Sequence, residues 1–170
     1  DVEMGAILGE PVMDMRPLGA DGFYVLEMSS YQLELVPSAR FDVAVLLNVS
    51  ADHLDRHGGM DGYLAAKKRI FQGQGEGHTA VVGVDDDLSR ALVDELCIEG
   101  TRRVIPVSSA RHCPGGVFVD CGRLMDDMDG NGMAVLDLTE IATLPGIHNH
   151  QNAAAAYAVA RAVGVPIKAI

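Results

Sequence analysis

Short, continuous apolar runs constrain the fold of this chain more than any other feature. FYVLEM (23–28), VAVLLNV (43–49) and TAVVGV (79–84) do not alternate with polar residues, and a strand RVIPVS (103–108) follows them. Runs of this kind belong to strands buried on both faces, the habit of a parallel sheet. Helical segments stand between them. Residues 32–37 can form a brief helix, and Asp61 can cap one running to about residue 72. The Asp85-Asp86-Asp87 end of TAVVGV can cap another over 88–98. Beyond these, GGVFVDCGRLMDDMDGNGMAVLDL alternates and turns at 120–122 and 129–132, as antiparallel hairpins do. HNHQNAAAAYAVARAVGV is an alanine-rich helix ending at Gly164, with Pro166 beyond it. The expected class is α/β: a mostly parallel sheet flanked by helices, with a small antiparallel patch.

A chain of 170 residues is most economically one domain with a real core. Tryptophan is absent and aromatics make up 5%, so that core must rest on Val, Leu, Ile, Ala and Met. No apolar run approaches the ~20 residues of a membrane span, and no basic-then-apolar signal segment opens the chain. Cys97, Cys113 and Cys121 have no CxxC spacing and cannot all pair, which points to free thiols in a reducing cytoplasm. A net charge of -11 argues against nucleic acid, because a backbone binder needs a basic surface. It leaves nucleotides open, since divalent cations can stand between phosphates and carboxylates. The chain starts at Asp1 and stops at VPIKAI, and is expected to be a piece of a longer protein.

The densest chemistry lies in SADHLDRHGGMDGYLAAKKRIF (50–71). At about 100° per residue, Tyr63, Leu64, Ile70 and Phe71 form an apolar stripe with Lys67 near its centre, and Lys68 lies roughly 100° further round. Lys67 is then either a lysine that snorkels out or a desolvated amine with a reactive neutral nitrogen, while Lys68 reaches solvent. His53 and His57 stand at the i, i+4 spacing of zinc ligands, but Gly58-Gly59 follow at once. The segment therefore reads as a loop, where that spacing loses its meaning, and no third ligand stands at a structural-zinc interval. DMDGNG (127–132) matches the first half of a calcium loop but lacks the closing glutamate, which makes a polar hairpin turn the better reading.

Glu27 follows four apolar strand residues in EMSSYQLE (27–34), and a carboxylate at the C-terminal end of a parallel strand suits magnesium. Ser29, Ser30 and Gln32 beside it suit a polar substrate, or the serine is a plain cap. Asn149 and Asn152 in LPGIHNHQN (144–152) share the face of a helix's first turn, and either could also be a cap.

Taken in order, EMSSYQLE, LLNVSADHLDRHGGMDGYLAAKKRIF and LPGIHNHQNAAAAYA resemble the Mur ligase family of cell-wall synthesis, over nearly the whole chain. The resemblance implies an ATP-dependent amide ligase of three domains, of which residues 1–170 are most of the central, ATP-binding one. The remaining two domains would bind the UDP-sugar and the incoming amino acid. The first string is most like members that add D-glutamate to UDP-N-acetylmuramoyl-L-alanine through an acyl phosphate. The family's known features imply two Mg2+ ions, one held by Glu27 and one served by His53, and carbon dioxide bound as a carbamate on Lys67. They also imply Asn149 and Asn152 near the adenine of ATP, and Ser29, Ser30 and Gln32 on the substrate side. No Gly-Lys-Ser/Thr occurs, so the chain is expected to begin downstream of the phosphate loop. Ile7 stands where the family has a substrate-contacting asparagine. Other members of the family, a folylpolyglutamate synthase-like ligase, a metal-dependent hydrolase using His53 and His57, and a non-catalytic binding domain are the rival readings.

Overall fold

The computed structural model describes residues 1–6, 10–144 and 146–170; Ile7 lies outside them. The chain forms two compact units, one of residues 1–38 and 53–69, the other of residues 39–52 and 70–170.

In the first unit, β1 (Val2–Ala6) pairs in parallel with β2 (Phe23–Glu27), in register from Val2 opposite Phe23 to Ala6 opposite Glu27. The crossover is tied down by Tyr24, whose hydroxyl accepts from the Leu18 N–H at 2.8 Å and donates to the Arg16 carbonyl at 3.0 Å. Among the described residues the unit also holds a 3-10 turn (Val12–Asp14) and three short α-helices, α1 (Ser30–Leu35), α2 (Leu54–His57) and α3 (Met60–Lys68). The expectation of a β2 buried on both faces fails here. Phe23, Tyr24 and Val25 are 45%, 47% and 53% exposed, because a two-stranded sheet leaves its faces uncovered.

The second unit is built on a six-stranded sheet in sequence order: β3 (Val43–Leu46), β4 (Thr79–Gly83), β5 (Arg103–Ser108), β6 (Val117–Asp120), β7 (Arg123–Asp126) and β8 (Met133–Asp137). Pairing is parallel from β3 to β6 and antiparallel from β6 to β8. The expected antiparallel patch is thus the far half of the main sheet. At the β6–β7 turn, Cys121 and Gly122 both take positive φ (47° and 79°), as a two-residue hairpin requires. A Cβ on Gly122 would stand 2.3 Å from Thr139 Cγ2, so glycine is needed for space as well.

Helix α4 (Asp87–Glu99) packs on β4 and β5 with Leu92 and Leu96 buried, and α5 (Ile147–Ala162) packs along β3 to β7. All five residues of β4 are buried, as its continuous apolar run predicts. Small side chains let α5 approach closely: Ala154, Ala155 and Ala158 meet Val81, Ile105, Val107 and Val117 in one core. At its C-terminal end α5 is pinned by Asp126, which accepts from Tyr157 Oη at 2.7 Å and from Arg161.

Candidate functional site

Strand β2 delivers Glu27 at its C-terminal end with the carboxylate exposed. Among the described residues nothing forms an ion pair or hydrogen bond with that carboxylate. The next residues turn the chain into α1 through a capping box. Ser29 Oγ accepts the Gln32 N–H at 3.2 Å, and Gln32 Oε1 accepts the Ser29 N–H at 2.9 Å. Ser30, at the first position of α1, is 3% exposed, and its Oγ lies 3.0 Å from His57 Nε2.

The segment read as a loop contains one turn of helix, α2, and the two histidines fall at its two ends with different surroundings. His53 is the N-cap, held at φ 50°, and is exposed. His57 closes the turn with a side chain 1% exposed. Its Nε2 faces Ser30 and its Nδ1 lies 3.4 Å from Glu34 Oε1, so both ring nitrogens are committed. The Tyr31 ring stands against both, with centroids 5.2 Å from His53 and 5.6 Å from His57. A metal shared by the two histidines would have to strip His57 of Ser30 and Glu34. Among the described residues, no three His, Cys, Asp or Glu side chains converge as a metal cage.

Helix α3 begins at Met60 behind a glycine N-cap, Gly59, so Asp61 lies in its first turn and is not its cap. It ends at Lys68, and a 3-10 turn over Arg69–Phe71 follows. That turn advances about 120° per residue, which breaks the angular phase that placed Ile70 and Phe71 in line with Tyr63. Tyr63, Ala66 and Phe71 are buried, while Leu64, Ile70, Lys67 and Lys68 are all half-buried. Burial therefore does not separate the two lysines as the helical projection expects. What distinguishes Lys67 is its seat: Nζ stands 5.6 Å from the Tyr63 ring centroid, and no described carboxylate pairs with it.

The second unit carries the asparagines on α5. Its N-cap is Gly146 with no side-chain cap, so neither Asn149 nor Asn152 fills that position. Asn149 is half-buried; Asn152 is exposed and lines an apolar cavity of about 440 Å3 walled by Leu124, Val135, Leu138, Ala156 and Tyr157. Two features here escaped the sequence reading. Gln151, on the same helix, is 7% exposed and donates from Nε2 to Asp85 at 2.9 Å. Asp85 itself reads as one of three capping aspartates, yet Asp86 is the cap of α4, accepting the Ser89 N–H at 2.9 Å. The DMDGNG stretch is a hairpin turn in which Asp127 accepts the backbone N–H groups of Gly132 and Gly115.

Residues 12–160 match the Mur ligase middle domain. The chain is 54% identical over 169 residues to the UDP-N-acetylmuramoylalanine--D-glutamate ligase of Rhodospirillum rubrum, covering 99% of this chain and 35% of that protein. It is 50% identical to the protein of the same name from Paramagnetospirillum magneticum, covering 99% and 36%. The chain thus spans about a third of the length of the curated relatives it matches. Among solved structures, a UDP-N-acetylmuramoyl-L-alanyl-D-glutamate--2,6-diaminopimelate ligase shares the fold with a TM-score of 0.66 at 24% identity, over 86% of this chain and 31% of that one.

Proposed function

This chain belongs to the Mur ligase family, and we propose that in its complete protein it is the central, ATP-binding domain of a ligase joining D-glutamate to UDP-N-acetylmuramoyl-L-alanine. The near-complete match to D-glutamate ligases carries the reading. The reaction belongs to the assembly of peptidoglycan precursors, in the cytoplasm where ATP and the UDP-sugar are found. A carboxylate oxygen of the L-alanyl group attacks the γ-phosphorus of ATP and ADP leaves. The D-glutamate amine then attacks the acyl phosphate carbon, phosphate leaves, and the amine gives up a proton.

The donor chemistry present fits magnesium. Glu27 offers a hard, exposed carboxylate oxygen with no competing cation among the described residues, and His53 an exposed imidazole. Lys67 has no carboxylate partner among the described residues, so no ion pair competes for its amine; addition of carbon dioxide to the unprotonated amine, with loss of a proton, would make it an anionic oxygen ligand. Bound at these residues, magnesium would neutralise charge on the phosphates as the phosphoryl group transfers. Glu27 would hold one ion and His53 with Lys67 a second. Ser29 and Gln32 would face the substrate from the start of α1, with Ser30 supporting them from behind through His57. Asn152, as the side-chain amide on an apolar wall, suits the flat base of ATP, and Asn149 lies about 60° from it around α5. The phosphate loop and the amino-acid site would come from other parts of the complete protein.

The test is ADP release by the complete protein. Sustained release over many turnovers should require UDP-N-acetylmuramoyl-L-alanine and D-glutamate together. Turnover with a different amino acid, and none with D-glutamate, would reassign the chain to another branch of the family. Hydrolysis of a substrate without ATP would overturn the ligase reading altogether.

A further inference from the structure

One carboxylate in the second unit gathers an unusual number of donors. Asp85 lies two residues beyond the end of β4 and accepts from Ser108 Oγ, from the Ser109 N–H at 2.9 Å, from Ser109 Oγ at 2.8 Å and from Gln151 Nε2 at 2.9 Å. Ser108 and Ser109 are 0% and 8% exposed, and Gln151 is 7% exposed. Three elements, β4, β5 and α5, are therefore tied at one point at the C-terminal end of the parallel sheet. Charge-assisted bonds of this kind are about twice as strong as neutral ones and fix direction as well as distance. Gly83 makes room for the crossing: a Cβ there would stand 2.8 Å from Gln151 Nε2 and 1.8 Å from the Leu47 carbonyl oxygen.

The tie fixes more than the position of α5. Gln151 points inward, and at about 100° per residue Asn152 lies about 100° and Asn149 about 160° around the axis from it. Locking Gln151 sets the rotation of the first two turns, and so the direction of both asparagines. Tyr157 and Arg161 anchor only the far half of the helix, on Asp126. We propose that Gln151 and Asp85 are positioning residues for the nucleotide, aiming Asn149 and Asn152 at the base. This rests on the nucleotide role given to those asparagines above.

The test compares Gln151→Met, which keeps length and loses the donor, with Arg161→Met, which loosens the far anchor on Asp126 from outside the cavity, both in the complete protein. Gln151→Met should raise KM for ATP and the Kd for ADP about tenfold, with kcat and the KM of D-glutamate within about twofold. Arg161→Met should lower the melting temperature and leave both nucleotide constants alone. If Gln151→Met does not fold, Gln151→Asn, which keeps the amide but is one methylene short, should show the same selective rise. Unchanged ADP affinity in a folded Gln151 variant, or equal shifts in both variants, would overturn the proposal. A wild-type protein that neither binds ADP nor ligates would instead sink the reading of the site itself.

Discussion

At the scale of single residues, the structure gives His53 and His57 different surroundings. His57 is enclosed by Ser30, Glu34, Tyr31 and Tyr63 and serves as a structural post, while His53 stays open to solvent at the head of α2. No sequence spacing could show this, because Ser30 and His57 meet across 27 positions. In the proposed function, Lys67 is the residue on which the chemistry would turn. If its amine carries a carbamate, Lys67→Ala should nearly abolish turnover of the complete protein, and formate or acetate at fixed ionic strength should restore part of it by supplying oxygen ligands. Lys68→Ala should show no such response, since its loss leaves the carbamate in place. Rates with and without the added acid decide the matter: a Lys67→Ala protein of normal activity, or rescue of both variants alike, would rule the carbamate out.

At the scale of elements, legibility followed burial. The run TAVVGV becomes β4, buried at every position, RVIPVS becomes β5 residue for residue, and both hairpin turns fall where glycine and aspartate mark them. FYVLEM has the same apolar texture, yet its strand is open, because burial depends on what a strand's neighbours cover and not on its own composition. β1, with a glutamate and a glycine among five residues, carried no strand signal and forms by pairing with β2. The connection between β5 and β6 holds a further consequence. Cys113 there is 3% exposed, and its thiol is pushed up to about 11, first by burial and then by Asp85. Well below pH 9 the thiol is protonated whether the chain is folded or not. As pH rises from about 9 towards 11 the unfolded thiol ionises and the folded one resists, so stability contributed by this site is progressively lost. Urea midpoints at pH 8 and 10.5 should therefore fall more steeply for the wild-type chain than for Cys113→Ala. Parallel slopes for the two would contradict the assignment.

At the scale of the whole molecule, the first unit holds Glu27, Ser29, Gln32, His53 and Lys67, and the second holds Asn149 and Asn152. The proposed phosphoryl chemistry and the proposed grip on the base are thus carried by different parts of the chain. The sequence offered every one of these residues, through three strings in family order, but not the supports behind them: the Gln151–Asp85 bond spans 66 positions. A ligase of this kind depends on aligning three substrates, which is where most of its rate would originate. In the proposed reaction the substrate carboxylate is phosphorylated before the amine arrives. The complete protein should be supplied with ATP, D-glutamate and UDP-N-acetylmuramoyl-L-alanine labelled with oxygen-18 in its carboxylate, and the released phosphate analysed by mass. Each phosphate formed should carry a single labelled oxygen, transferred when the acyl phosphate breaks. Unlabelled phosphate accompanying amide formation would contradict it.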